Sequence, residues 1–336
     1  MTDYFWPDDI IPAAQPWRVI DNAAAFTSPF SGTTQTVGRP GGIRIGCTIT
    51  TQPLRGAERH RMMALIGALR GRENRIWLPD FAVNQRGSFP TGELLANPTF
   101  PDTSGWTSSN AELGLTADSG RLRLARTGVT GDRTVSAPVF TVSGASYLWR
   151  TGLLSGRGPL AYALRVGTTA GGSELVSGSN LATEGLQHVV ATATGTSSFA
   201  GVLDRISGRS AGQFQFLDSP SFARCALVNG GSQTGSAILI DGLPANTNGV
   251  LMAGDVVAIF TNTWEMKRLR ADLNSDGSGN GWLMFEPSLR VAPADNAPVA
   301  IWEPRARFML ASEEVGWDTE PGHITQFQLE FIEDIA

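Results

Sequence analysis

The chain has 336 residues, of which 17% are charged, and a net charge of −5. That length fits two or three domains, and the negative charge argues against general nucleic-acid binding, which needs a clustered basic surface. Two cysteines and three widely spaced histidines are too few for a disulfide framework or a four-ligand zinc site. With 39 glycines and little charge, the composition favours an all-β protein with many turns.

The first 95 residues predict extended chain, a strand, one helix and a second strand. The start of the chain is acidic and aromatic rather than a signal peptide, which indicates a product made in a cytoplasm. Residues 42–50 alternate apolar and polar side chains, as a half-buried strand does. Apolar residues then recur at helical spacing from Gly56 to Leu69, and Gly71 fits a C-terminal stop. Residues 74–80 predict a short strand that ends near Pro79.

Residues 96–226 differ in composition from the first 95, because they are rich in Gly, Ser, Thr and Ala. Short alternating runs separated by turn residues are expected at 120–125, 137–142, 147–150, 162–166, 187–192 and 213–218. Many short strands with regular turn signals predict a β-sandwich.

Residues 227–336 return to longer apolar strands and predict a β-meander. The expected strands are 237–241, 256–260, 264–273, 281–285, 299–302, 306–310 and 324–332. In the last of these Phe327, Leu329 and Phe331 share one face, which indicates a one-sided antiparallel strand. We therefore expect one domain formed by residues 1–95 and 227–336, with a flanking helix at 57–70, interrupted by an inserted sandwich at 96–226.

Two catalytic or metal-binding motifs are matched only in part. Gly208, Ser210 and Gly212 fit G-x-S-x-G, but a nucleophile elbow needs a strand before it, a helix after it and a later Asp and His. A Gly-rich loop is the favoured interpretation, and a hydrolase using Ser210 and His188 is the minor alternative. We predict no catalytic residues.

The segment from Asp272 to Gly277 matches the first half of an EF-hand loop. The twelfth position, where a bidentate Glu is needed, is Leu283. A hairpin loop explains the same Asp, Asn and Gly residues, because all three tolerate left-handed turn geometry.

An ordered series of short motifs in the two outer segments resembles the distal tail proteins of long-tailed bacteriophages. The residues that carry it are Phe5-Trp6-Pro7, Asn22, Phe26-Thr27-Ser28-Pro29-Phe30-Ser31-Gly32, Gln35, Arg39-Pro40-Gly41-Gly42, Leu69-Arg70-Gly71, Asn74-Arg75-Ile76-Trp77-Leu78-Pro79-Asp80, Leu239-Ile240-Asp241-Gly242-Leu243-Pro244, Val250-Leu251-Met252-Ala253-Gly254-Asp255, and Phe285-Glu286-Pro287-Ser288-Leu289-Arg290. The resemblance implies a tail-tube-like β-barrel or sandwich with one helix on its flank.

The resemblance also implies a structural role in the virion, at the tail tip. Such proteins form a homohexameric ring that joins the tail tube protein to hub and fibre proteins, without enzymatic activity. DNA passes through the lumen of the ring without specific binding, and we expect more Asp and Glu than Arg on that surface.

The inserted segment resembles jelly-roll carbohydrate-binding modules around Asn97, Trp106 and residues 218–222. That resemblance implies a possible structural calcium at Asp218 and no other cofactor. Trp149, Tyr147 and Tyr162 are the candidates for stacking on a sugar, with packing of the sandwich as the favoured alternative for all three. Binding of host cell-surface glycans, as a lectin or adhesin, is the second functional hypothesis.

Overall fold

The computed structural model of the chain describes residues 2–21, 23–37, 42–81, 86–109, 111–128, 131–179, 181–205 and 211–335. Of the motif residues above, Asn22, Arg39 to Gly41, Gly208 and Ser210 lie outside these ranges. Within the described residues the chain has one α-helix and 27 strands, so the predicted all-β class with one helix is confirmed. No helix in these ranges is long and apolar enough to span a membrane.

The elements follow one another in three stretches of chain. The first stretch contains β1 (Asp3–Phe5), β2 (Pro12–Ala14), β3 (Trp17–Ile20), β4 (Ala24–Thr27), β5 (Thr34–Val37), β6 (Arg44–Thr51), α1 (Gly56–Leu69) and β7 (Arg75–Pro79). The second contains β8 (Thr107–Ser108), β9 (Leu113–Asp118), β10 (Arg121–Arg126), β11 (Arg133–Phe140), β12 (Ser146–Arg157), β13 (Tyr162–Gly167), β14 (Val176–Ser177), β15 (Gly185–Thr192), β16 (Ser197–Asp204) and β17 (Phe214–Arg224). The third contains β18 (Ala226–Val228), β19 (Ala237–Asp241), β20 (Val256–Phe260), β21 (Trp264–Leu269), β22 (Gly281–Glu286), β23 (Pro298–Ala300), β24 (Arg305–Leu310), β25 (Asp318–Glu320), β26 (Ile324–Gln326) and β27 (Gln328–Glu333).

The chain divides into two compact units. The sandwich unit consists of Met1–Ile10, Pro90–Leu227 and Ala300–Trp302. The barrel unit consists of Ile11–Phe89, Val228–Val299 and Glu303–Ala336. The first ten residues thus belong to the sandwich unit, although we expect them from the sequence in the domain formed by residues 1–95 and 227–336. Two aromatic side chains of this segment are packed in the protein, since Phe5 is 1% exposed and Trp6 is 2% exposed.

The sandwich unit is built from two five-stranded sheets. One has the order β15-β12-β17-β10-β9 and the other β14-β13-β16-β11-β8. The core between them is apolar and includes Leu122, Leu124, Trp149, Val202 and Leu217. A buried ion pair joins the sheets, because Nε of Arg126 lies 2.7 Å from Oδ2 of Asp204.

The barrel unit contains a sheet and a closed six-stranded barrel. The sheet runs β7-β24-β27-β6-β2, with β3 also paired to β6, and the barrel runs β18-β19-β22-β21-β20-β23. The predicted meander is confirmed for β20, β21 and β22 but is wrong on either side of them, because β19 pairs with β22 and β20 lies next to β23. Strands β24 and β27 pair with β7 and β6, which lie more than 200 residues earlier in the chain.

Helix α1 carries the predicted apolar stripe. Four of its residues are buried: Met62, Leu65, Ile66 and Leu69. Arg70 follows in the left-handed conformation, and the backbone N–H of Asn74 donates to the carbonyl of Leu69 at 3.2 Å. The side-chain amide of Asn74 donates to Ala68 at 2.9 Å. These bonds satisfy carbonyls that a helix end leaves open.

Candidate functional site

The three aromatic residues predicted to stack on a sugar are core residues. Trp149 and Tyr162 are 0% exposed and Tyr147 is 3% exposed. The indole of Trp149 donates to the carbonyl of Gly201 at 3.0 Å, and Tyr147 stacks on Phe222 at 5.4 Å between ring centroids. A ring buried on both sides offers no face to a ligand, so the saccharide assignment of these residues is wrong and the packing alternative holds.

Asp218 is paired with an arginine. Nε of Arg121 lies 2.6 Å from its Oδ2, and the hydroxyl oxygen of Ser219 lies 3.2 Å from its Oδ1. Because a guanidinium occupies the place of a cation, these residues do not fit the calcium ion that the resemblance implies. Throughout the described ranges, His, Cys, Asp and Glu nowhere form a group of three able to hold a metal.

The loop at Asp272 uses its polar side chains to hold its own turn. The carboxylate of Asp276 accepts hydrogen bonds from the backbone N–H groups of Ser278 and Asn280, both at 2.8 Å. Asn274 accepts from the N–H of Gly249 at 2.8 Å. The hydrogen bonds from the N–H groups of Asn280 and Ser278 lower the pKa of the Asp276 carboxyl below its usual value. The hairpin-loop interpretation is the one that the contacts support, since the loop leads from β21 into its antiparallel partner β22.

The hydrolase motif lies largely outside the described residues, which exclude Ser210. His188 is described, on β15 opposite Arg150 of β12. Burial, and then the nearby Arg150 charge, lower the pKa of His188 to about 4.

One face of the β10–β17 sheet carries aromatic and basic side chains. Phe214 and Phe216 point away from the core that holds Leu217, and their rings meet edge to face at 5.6 Å between centroids. Arg123 is opposite Phe216 in the register, and its guanidinium carbon lies 4.0 Å from the Phe214 ring centroid. All three are half-buried. We call Arg123, Phe214 and Phe216 the open face; the alternation of Phe with Gln at 213–217 is the sequence signal that could have revealed it.

The same sheet is covered elsewhere by distant parts of the sandwich unit. The Phe5 ring lies against Gly152 of β12, and the hydroxyl of Ser219 donates to Asp8 at 2.8 Å. Arg150 donates to the carbonyl of Trp302 at 2.8 Å. The N-terminal segment therefore occupies sheet surface that would otherwise be open to a ligand.

A short hairpin in the barrel unit exposes apolar side chains. Among the residues that the structure describes, strands β4 and β5 pair only with each other, from Ala24 opposite Val37 to Thr27 opposite Thr34. Phe26 is 63% exposed and Phe30, in the connecting turn, is 100% exposed. We call residues 24–37 the arm. Exposed apolar clusters of this kind mark interaction surfaces.

No family model matches the chain, and no curated protein matches its sequence. Among solved structures, an arabinose-bound α-L-arabinofuranosidase, MgGH51, is similar at 19% identity and a TM-score of 0.32, over 39% of this chain and 26% of that one. The enzymatically active domain of tailspike protein 4 from bacteriophage CBA120 is similar at 12% identity and a TM-score of 0.31, over 39% and 21%. The module TmCBM61, in complex with β-1,4-galactotriose, is similar at 16% identity and a TM-score of 0.30, over 40% and 99%. The chain thus spans about a quarter of the first protein and a fifth of the second.

Proposed function

We propose that this chain is a structural subunit that assembles with copies of itself into a ring at the distal end of a phage tail. The observation that carries the proposal is the arm. A lone two-stranded hairpin is marginally stable in water, and this one presents Phe26 and Phe30 to solvent. Burial against another molecule would both shield the rings and hold the hairpin.

Self-association through one arm per chain favours a ring. An arm that contacts a different surface on the next copy makes a head-to-tail contact, and such contacts generate closed rings when the rotation closes. The ring order of six, the joining of tail tube to hub, and the passage of DNA through the lumen come from the resemblance of the outer motifs to distal tail proteins. On this proposal the protein is non-enzymatic and is found at the tail tip of the virion.

Negative-stain electron microscopy of the purified chain tests the proposal. We expect rings with six-fold symmetry whose frequency rises with protein concentration. A monodisperse monomer at high concentration contradicts the proposal.

Saccharide binding by the open face is the second candidate. An aromatic face covers the apolar C–H groups of a sugar, and a guanidinium donates hydrogen bonds to hydroxyl groups. Phe214, Phe216 and Arg123 provide both chemistries on one sheet surface. The full-length chain and its Phe216→Ala variant, compared on a glycan array and by calorimetry, test this candidate. Glycan binding that Phe216→Ala removes supports it, whereas no binding, or binding that the variant keeps, contradicts it.

A further inference from the structure

The barrel unit has an apolar groove of about 500 Å³. Its walls come from β3 and the start of β6 on one side and from β20, β21 and the end of β22 on the other. The apolar lining includes Trp17, Val19, Ile45, Met266 and Leu269. The accessible apolar lining includes Trp17 and Val256, which are half-buried, and Val19, which is 71% exposed, and we call these three residues the floor of the groove. Met266 and Leu269 are 2% and 3% exposed and support the floor from within the barrel unit.

The chain's own arm tip does not fill this groove, since no residue of the arm lines it. Asp21 and Ile43, which flank the arm in sequence, both line the groove, so the arm begins beside it. The four residues of β4 alone carry the tip roughly 13 Å beyond Ala24 at the usual rise of a strand. Phe30 at that tip is fully exposed. The arm tip is therefore free to be buried against another molecule.

We propose that the groove receives the arm tip of a second copy of this chain, with Phe30 seated on Trp17, Val19 and Val256. This inference rests on the proposed ring function and names the surface through which neighbouring subunits meet. One arm and one groove per chain, at different places, make the head-to-tail contact that a closed ring needs.

The chemistry of the two surfaces is complementary. Residues 22–38 contain no charged side chain. Burying the arm therefore avoids the cost of removing a charged group of the arm from water. The floor of the groove is apolar, so an incoming ring meets the side chains of Trp17, Val19 and Val256. Charged residues such as Arg268, Arg270 and Glu286 lie at the groove too, as expected for the polar rim of an interface.

Disulfide trapping between two single variants tests the contact. Full-length Phe30→Cys protein is mixed with Val19→Cys protein under mild oxidation, and the dimer is measured on non-reducing gels. The native thiols do not interfere, because Cys47 and Cys225 are buried and burial raises the pKa of each to about 12. We expect at least tenfold more cross-linked dimer than from Phe30→Cys mixed with Trp282→Cys, a matched control at an exposed position of the same unit outside the groove.

Two results overturn the inference. One is an equal yield with the Trp282→Cys control, and the other is an equal yield from Phe30→Cys protein alone, which indicates tip-to-tip contact. A second variant, Phe30→Asp, places a charge where the apolar floor would receive it, and we expect at least a tenfold weaker self-association by analytical ultracentrifugation.

Failure of this inference is distinguishable from failure of the proposed function. Rings that persist in the Phe30→Asp variant without trapping through Val19 leave the ring function standing and overturn the arm–groove contact. A wild-type chain that stays monomeric and gives no cross-linked dimer contradicts both.

Discussion

A Cβ atom on Gly152 would lie 2.6 Å from ring atoms Cε2 and Cζ of Phe5. Phe5 is 1% exposed, so the ring is packed against a position where no side chain fits. The absence of a side chain at residue 152 thus allows the N-terminal segment to lie on β12 of the sandwich unit.

We expect Gly152→Ala to displace this segment. Overpacking of a filled site costs about 1–3 kcal/mol, and withdrawal of the Phe5 ring is one way to relieve it. Chymotrypsin should then cleave after Tyr4 or Phe5 several times faster than in the wild type, as measured by mass spectrometry of the released peptide.

Gly114→Ala is the matched control on the same sheet. The nearest atom to its new Cβ is the carbonyl oxygen of Ala125 at 3.7 Å, an ordinary contact. We expect the wild-type cleavage rate in this variant. Equal rates in both variants contradict the role assigned to Gly152.

Elements with a polar face could be predicted from the sequence. The strand that ends the chain shows why, because Leu329 and Phe331 are buried whereas Gln328 and Glu330 are exposed, as their alternation predicts. Helix α1 follows the same logic with a period of 3.6, and its bounds are those of the apolar pattern.

Strand β12 shows why the sequence could not predict that the candidate sugar-binding residues Tyr147 and Trp149 are buried. Its first nine residues, from Ser146 to Leu154, are all buried, because the core covers one face and distant segments cover the other. With both faces buried, alternation carries no information about which side Trp149 or Tyr147 points to. The partners that decide it, Phe5 and Trp302, are about 150 residues away in the chain.

The buried pair of Lys267 and Glu265 supports the next prediction. Nζ of Lys267 lies 2.8 Å from Oε2 of Glu265, and their side chains are 0% and 2% exposed. Lys267 is the only lysine in the chain, and it also donates to the carbonyl of Ser288 at 2.9 Å. Burial lowers its pKa, which Glu265 opposes.

We expect Lys267→Met to destabilise the barrel unit by about 3–5 kcal/mol, because it leaves a buried carboxylate without its closest cation. The measurement is urea unfolding followed by tryptophan fluorescence. Arg270→Ala is the control, since its pair with Glu286 spans 3.7 Å and is about half exposed; we expect a change of about 0–1 kcal/mol there. Equal losses in the two variants would show that burial of the pair is irrelevant.

Calcium should have little effect on the sandwich unit. The carboxylate of Asp218 is 4% exposed and already paired with Arg121. We expect the melting temperature to be the same, within about 1 °C, after addition of millimolar calcium or of EDTA, because a ligand that stabilises a fold must bind it. A calcium-dependent rise that Asp218→Asn abolishes would restore the metal assignment.

His188 predicts a pH dependence in the sandwich unit. Its pKa is lowered from 6.5 to about 4, first by burial and then by the Arg150 charge. As pH falls below 6.5 the unfolded chain binds a proton that the folded chain does not bind until about pH 4. The unfolded state therefore holds more protons across this window, and the stability contributed by the neutral ring is lost as pH falls.

The full shift corresponds to a ceiling of about 3 kcal/mol, and we expect about 1–2 kcal/mol because the ring is half-buried. Urea unfolding of the wild type and of His188→Gln at pH 7 and pH 4.5 measures it. The variant should lose less stability between the two pH values than the wild type. His60→Gln, at an exposed position of helix α1, should match the wild type, and a His188→Gln variant that also matches the wild type would show that His188 does not titrate in this way.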